Sequence, residues 1–77
     1  MFDPFIIWVV YDHPTDYPDD YVARKFTVTH KDDKGTPTDE ILVSKRLEDI
    51  REVMRFKRLI AIARFTVDDP KIIETWL

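Results

Sequence analysis

Hydrophobic positions along this chain fall into short blocks, and the spacing inside each block predicts a secondary-structure element. Residues 5–11 are β-branched or aromatic throughout, which is typical of a strand that is apolar on both faces, and we expect it in the centre of a sheet. Residues 21–30 alternate, with Val22 and Phe26 on an apolar face that also contains Arg24. Together the two segments predict a long antiparallel hairpin.

One segment has helical spacing. Leu47, Ile50 and Met54 recur at intervals of three and four residues, so residues 45–55 predict a short amphipathic helix. Ser44 precedes this segment, and its hydroxyl suits the N-cap position. A helix of about ten residues is not stable alone in water, so we expect it to pack on the sheet.

The remaining apolar blocks predict further strands. Residues 59–65 form one of them, with the small Ala61 and Ala63 on a face where the helix could approach, and residues 71–77 form the last. Residues 41–43 fit two interpretations, a short edge strand or the approach to the helix.

Prolines, aspartates and the only glycine mark the connections between these elements. Residues 12–20 contain two prolines and four aspartates, which end the first strand. Within them, Pro18 suits the second position of a turn over residues 17–20. Two further turns are predicted, at residues 31–37 around Gly35 and at residues 67–70.

The order of elements is therefore β-β-(β)-α-β-β, an α+β fold with a four- or five-stranded, mostly antiparallel sheet and one helix on one face. The 77 residues have room for a single domain, residues 1–77. One helix covers only one face, yet residues 5–11 are apolar on both faces. Apolar surface is left over, so we expect that the sheet curls on itself or that this surface meets a partner or a second copy.

Composition excludes several classes of protein. The chain has no cysteine, which rules out disulfides and thiolate metal sites. The apolar run at residues 5–11 is too short to span a bilayer, and no basic segment precedes it. We therefore expect a cytoplasmic protein that does not associate with membranes.

Candidate catalytic chemistry is sparse. The acids around His13 match no calcium-loop spacing, and turn chemistry around the prolines explains them without a metal ion. His13 and His30 lie at opposite ends of the predicted hairpin, and Ser44 has no neighbouring glycine for a nucleophile turn. The pair at residues 68–69 precedes a proline, as in ordinary turns. We expect no enzyme activity, no cofactor and no metal ion.

Both ends of the chain resemble a group of short bacterial and phage-associated hypothetical proteins. The matching residues are VVYDHPTDYPD at residues 9–19 and DDPKIIETWL at residues 68–77. The group shares a VYD-P-DYPD opening, a central amphipathic helix and a DDP-I-E-W ending. The resemblance covers about a third of the chain and implies a phage or mobile-element setting. It assigns no function to any residue.

The leading hypothesis is a non-enzymatic protein-binding accessory domain, and the implied setting makes an inhibitor of a host protein, including a defence protein, a candidate. Residues 1–23 contain five acids and no Lys or Arg, which fits such a role. The residues expected at the partner surface are Asp12, Asp16, Tyr17, Asp19, Asp20, Trp8 and Trp76. A homodimer through the uncovered sheet face can coexist with this function.

The alternative hypothesis is a small nucleic-acid-binding regulator. Residues 55–65 contain four bases and no acid, and aromatic residues on a sheet with a basic rim would give a stacking surface. The net charge of −3 favours it less than protein binding. The residues of this alternative surface are Arg51, Arg55, Lys57, Arg58 and Arg64.

Overall fold

The structure is a computed structural model and describes residues 5–29, 32–62 and 71–77. These residues form five strands and one helix in the predicted order, and residues 41–43 belong to a strand. The elements are β1 (Phe5–Asp12), β2 (Tyr21–Thr29), β3 (Asp32–Ser44), α1 (Leu47–Phe56), β4 (Ala61–Ile62) and β5 (Ile72–Trp76).

The strands form one sheet in the order β3-β2-β1-β5-β4, and every pairing in the described residues is antiparallel. The strand β1 is central, as its two apolar faces predict. It pairs with β2 along its whole length, from Phe5 opposite Val28 to Asp12 opposite Tyr21. The predicted hairpin and the α+β class are confirmed.

The helix packs on one face of this sheet and completes the core. Ile50 and Met54, from the predicted helical stripe, are 1% and 0% exposed. The core cluster consists of Trp8, Val10, Ala23, Ile50, Met54 and Trp76. Burial of each large apolar side chain contributes about 1.5–3 kcal/mol, which holds a helix that is too short to form alone.

The N-terminus of α1 differs from the prediction. Its N-cap is Arg46, whose side chain makes no capping bond, whereas Ser44 is the last residue of β3. The Ser44 hydroxyl accepts a hydrogen bond from the Arg46 N–H at 3.1 Å and donates one to the Asp49 carboxylate at 2.9 Å. Ser44 therefore ties the end of the strand to the first turn of the helix, two residues before the observed N-cap, Arg46.

The predicted turn over residues 31–37 is also wrong, because β3 already begins at Asp32, opposite Thr29. Gly35 lies inside the strand with a φ of +84°. The register between β2 and β3 shifts at this point, so the glycine provides a local irregularity rather than the end of the strand. Residues 30–31, which connect β2 and β3, lie outside the described residues.

The described part of the predicted strand over residues 59–65 is short. Only Ala61 and Ile62 are strand, although Ile60 also exchanges two backbone hydrogen bonds with Leu77, at 2.9 and 3.0 Å. Ala61 is exposed, so α1 does not cover it as predicted. Residues 63–65 and the predicted turn over residues 67–70 lie outside the described residues.

Candidate protein-interaction surface

The sheet has a second face, opposite α1, whose residues follow from the alternation along each strand. Trp8 and Val10 face the helix, so the odd-numbered residues of β1 face the other side. The register aligns one row of residues across the whole sheet. Ile60 pairs with Leu77. Because Trp76 pairs with Trp8, the next residue of that strand, Leu77, lies beside Ile7. That row is Ile60, Leu77, Ile7, Phe26 and Pro37.

Two further rows lie above it on the same face. They contain few polar side chains, notably Arg24 and Thr75, which flank Val9 on either side. The rows are Ile62, Thr75, Val9, Arg24 and Ile41, then Ile72, Tyr11, Val22 and Val43. The apolar face of β2 that contains Val22 and Phe26 therefore lies away from the helix.

Side chains in the middle of this face are buried, whereas those at one end are exposed to solvent. Val22 and Val9 are buried, at 0% and 8% exposure, and Arg24 reaches across to Asp16 of the connection between β1 and β2 at 2.9 Å. At the opposite end, large apolar side chains remain exposed: Phe5 at 57%, Ile60 at 70% and Leu77 at 37%. We call this region the apolar end, formed by Phe5, Ile60 and Leu77 with the half-buried Ile7 and Phe26.

The connection over residues 13–20 is held in shape by its own backbone hydrogen bonds. The predicted turn over residues 17–20 is confirmed by a hydrogen bond from the Asp20 N–H to the Tyr17 carbonyl at 3.3 Å. The His13 N–H donates to the Asp20 carbonyl at 3.0 Å and closes the loop, and Pro14 is buried. The connection therefore has a defined shape, set by the proline turns that the sequence indicates.

Most of the aspartates predicted to meet a partner are bonded within the chain. Asp19 is exposed and Tyr17 is half-buried. The intramolecular contacts are Asp12 with His13, Asp16 with Arg24 at 2.9 Å, and Asp20 with Lys45 at 3.8 Å. The contacts with Arg24 and Lys45 reduce the negative charge that the loop presents to solvent.

The two tryptophans predicted at the partner surface lie in the core. Trp8 and Trp76 are 4% and 5% exposed and stand opposite each other on β1 and β5. The Trp76 indole N–H donates to Glu74 at 3.1 Å, and the Lys57 ammonium lies 5.4 Å from the centre of the Trp8 ring. Their burial removes both rings from any surface that a partner could reach in this conformation.

The basic residues of the alternative surface are partly neutralised by acids. Arg51 donates to Glu74 through Nε at 2.8 Å and also pairs with Glu48 at 3.6 Å. Arg55 donates to Glu48 at 3.0 Å. The bond to Glu74 raises the pKa of Arg51, and the bond from Arg55 lowers the pKa of Glu48 below its ordinary value of 4.5.

The other two described residues of that basic set, Lys57 and Arg58, lie at the C-terminal end of α1. Lys57 lies over Trp8, and Arg58 is exposed at the helix end with a φ of +64°. Arg64 lies outside the described residues. The paired guanidinium groups leave less positive charge for phosphate groups than the sequence alone indicates.

A groove that the sequence does not indicate lies between α1 and β3, with a volume of about 250 Å³. Its lining combines residues from both elements: Leu42, Val43, Ser44, Asp49, Ile50 and Val53. The groove is mostly apolar, but the Ser44–Asp49 hydrogen bond occupies its polar groups.

The structure brings no metal-binding cluster together in the residues it describes. No group of three or more His, Asp or Glu side chains there is placed to hold a metal ion. The Ser44 hydroxyl bonds to Asp49 and the Arg46 N–H, and His30 and residues 68–69 are outside the described part of the chain. No described helix is long and apolar enough to cross a membrane.

Comparison with known proteins adds no relative. No protein-family model, curated protein or solved structure matches this chain. The resemblance of its two ends to phage-associated proteins stays a prediction.

Proposed function

We propose that this chain is a non-enzymatic protein-binding domain whose contact surface is the apolar end. The supporting observation is the exposure of Phe5, Ile60 and Leu77 on one face, next to the half-buried Ile7 and Phe26. Single exposed apolar residues are ordinary on a protein surface, but a contiguous group on a sheet face marks an interaction site.

The size of the surface is consistent with this role. Complete burial of one such side chain contributes about 1.5–3 kcal/mol, so covering the exposed fractions of Phe5, Ile60 and Leu77 contributes about 2.5–5 kcal/mol. About 4 kcal/mol separates a millimolar from a micromolar complex. Burial of the apolar end is therefore enough to stabilise a weak complex, and tight binding needs further contacts.

We further propose that the domain is an accessory protein of a phage or mobile element and acts in the cytoplasm as an inhibitor of a host protein, such as a defence protein. The support is the resemblance at residues 9–19 and 68–77. The ordered loop with its exposed Asp19 offers a second contact region beside the sheet.

A capture experiment with matched variants tests the proposed surface. The chain is immobilised and incubated with lysate of a bacterial host, and the bound proteins are compared for the wild type, Phe5→Lys and Phe56→Lys. Phe56 is the control because it is 89% exposed but lies on α1, which packs on the other face of the sheet.

We expect a specific partner that the wild type and Phe56→Lys retain and that Phe5→Lys loses. Equal capture by all three proteins would show that the apolar end is not the contact surface. Failure of the wild type to retain any protein above background would contradict the proposed function.

A further inference from the structure

We propose that residues 56–58, which we call the basic turn, bind single-stranded nucleic acid. A base stacks on the ring of Phe56, and the phosphates contact the charged groups of Lys57 and Arg58. The basic turn lies where α1 ends, and α1 packs on the face of the sheet opposite the apolar end. Binding there is a second activity that does not depend on the proposed function.

Backbone hydrogen bonds fix the conformation of the basic turn. The Leu59 N–H donates to the Met54 carbonyl at 3.1 Å, and the Arg58 N–H donates to the Arg55 carbonyl at 2.8 Å. This pair of bonds is the Schellman motif that ends many helices. Leu59 then packs against the core. The backbone that carries the three side chains is therefore preorganised, which lowers the entropic cost of binding a ligand.

Arg58 lies at a position that usually holds glycine. The left-handed residue of a Schellman motif is most often glycine, because a β-carbon is disfavoured there. Arg58 has a φ of +64°, and its side chain makes no hydrogen bond or ion pair with the described residues. Backbone strain of this kind clusters at binding sites. A strained arginine whose charge is not used within the described chain points to a ligand with negative charge.

Phe56 provides a flat apolar surface beside this charge. It is 89% exposed, more than any other large apolar side chain in the described residues, so it contributes little to the core. Stacking of bases on exposed aromatic rings is a principal contact by which proteins hold single strands, and it accepts any sequence. In a duplex the faces of the bases are already stacked on one another. The ring of Phe56 therefore favours a single strand.

The cations beside the ring are not neutralised by acids. Arg55 donates to Glu48, whereas Lys57 and Arg58 are exposed and pair with no acid among the described residues. The Lys57 ammonium lies 5.4 Å from the centre of the Trp8 ring, a contact that positions the charge without cancelling it. Two cations next to one exposed ring match a nucleotide, which joins a planar base to a phosphate.

Other anionic partners match the basic turn less well. An acidic peptide would pair with Lys57 and Arg58 and leave the ring of Phe56 unused. An anionic membrane surface binds helices that have several large apolar side chains on their outer face. Apart from Phe56, the exposed residues of α1 are charged: Glu48, Asp49, Glu52 and Arg55. These acids also repel a long polyanion, so we expect weak binding of a few nucleotides at the turn itself.

Fluorescence anisotropy of a labelled single-stranded oligothymidine, measured at several salt concentrations, tests this site with five chains. Two variants remove the proposed contacts, Phe56→Ala and Arg58→Gly. Two matched controls remove an aromatic ring and a charge elsewhere. Phe5→Ala changes a 57% exposed ring on the other face, and Arg46→Ala changes an exposed arginine at the opposite end of α1, about 15 Å away along the helix axis. Urea unfolding of each chain confirms that it folds.

The wild type should bind with a slope of about −1.4 in a plot of log K against log salt concentration, because two phosphates are neutralised. Phe56→Ala should raise the dissociation constant ~10-fold without changing this slope. Arg58→Gly should reduce the slope to about −0.7. The same variant should raise the urea midpoint by ~0.5 M, because glycine adopts the left-handed conformation freely. A purely structural role of Arg58 would not weaken binding while stability rises. Both controls should bind as the wild type does.

Several results would overturn the proposal. They are a wild type that does not bind at low salt, equal losses for Arg46→Ala and Arg58→Gly, and equal affinity for a duplex of the same length. Competition by thymidine monophosphate as effective as that by the oligonucleotide would assign the turn to free nucleotides instead. Binding of phosphatidylserine vesicles through Phe56, without binding of the oligonucleotide, would assign it to a membrane surface. Capture of a host protein through Phe5 would stand in each of these cases.

Discussion

The only glycine of the chain allows a direct test of the backbone of β3. Gly35 has a φ of +84°, a region that residues with a side chain rarely adopt. A β-carbon at this position would lie 3.3 Å from Cγ2 of Val28 and 3.6 Å from Cβ of Phe26. We therefore expect Gly35→Ala to destabilise the domain.

The magnitude follows from opposing contributions. A left-handed conformation costs an alanine about 1–2 kcal/mol. The close approach to Val28 adds to this cost, whereas alanine restricts the unfolded chain and recovers about 0.4–1 kcal/mol. The net loss should be ~1 kcal/mol, out of a total stability of about 4–12 kcal/mol for a domain of this length.

Urea unfolding followed by tryptophan fluorescence measures the loss, because Trp8 and Trp76 are buried and become exposed on unfolding. With a slope of about 1 kcal/mol per M for a small domain, the midpoint should fall by ~1 M. Gly35→Asn is the matched control, since asparagine also carries a β-carbon but tolerates positive φ, and it should lose less.

The test is whether Gly35→Ala is less stable or more stable than the wild type. Where a glycine has an ordinary negative φ, replacement by alanine stabilises a protein through the unfolded state. If Gly35→Ala proved as stable as the wild type or more stable, the reasoning about this position would be refuted. Equal losses for the alanine and asparagine variants would attribute the effect to crowding against Val28 rather than to the backbone.

Two further predictions concern the helix. Met54→Ala should lower the free energy of unfolding by about 2–5 kcal/mol, because Met54 is 0% exposed. Phe56→Ala should change it by no more than about 0.5 kcal/mol, because Phe56 is 89% exposed. Similar urea midpoints for the two variants would contradict the placement of the helix. Glu48, whose pKa is lowered chiefly by the hydrogen bond from Arg55, should stabilise the fold above its ordinary pKa of 4.5 and lose that contribution as the pH falls through its lowered value. The stability difference between the wild type and Glu48→Gln should therefore shrink from pH 7 to pH 3, and a constant difference would argue against the ion pair.

The sequence predicts the elements of this fold well because most of them are set by local pattern. The uniform apolar composition of β1 and the helical spacing of Leu47, Ile50 and Met54 are properties of single segments. Both were assigned to the right element within about two residues. The errors fall where local signals compete, as at Gly35, whose glycine indicates a turn equally well as an irregular strand.

The side of the sheet on which α1 packs could not be predicted from hydrophobicity. The more apolar face of β2, with Val22 and Phe26, lies away from the helix. The helix packs over Ala23 instead, where a small side chain lets Ile50 and Met54 come close to the sheet. The face on which the helix packs depends on how side chains from several strands fit together, and this fit depends on the register between the strands.

The candidate site was predicted only in outline for a similar reason. An uncovered apolar sheet face follows from counting helices and strands, and the structure contains such a surface at its apolar end. The contribution of individual residues does not follow, because Asp16 and Asp20 are paired by Arg24 and Lys45 from other elements. A run of acidic residues in the sequence therefore does not by itself predict a negative surface, because basic residues elsewhere in the chain can pair with it.

The two proposals use different parts of the molecule and can be separated physically. Ile60, which follows the basic turn by two residues, lies at the sheet edge and Phe5 near the end of the central strand, two strands away in the sheet order. A host protein that covers the sheet face needs Phe5 but not the charge of Arg58. A nucleic acid at the basic turn needs Arg58 and the ring of Phe56, and its binding weakens with salt. Loss of host-protein capture with Phe5→Lys and loss of oligonucleotide binding with Phe56→Ala would therefore assign the face to the host protein and the turn to the nucleic acid.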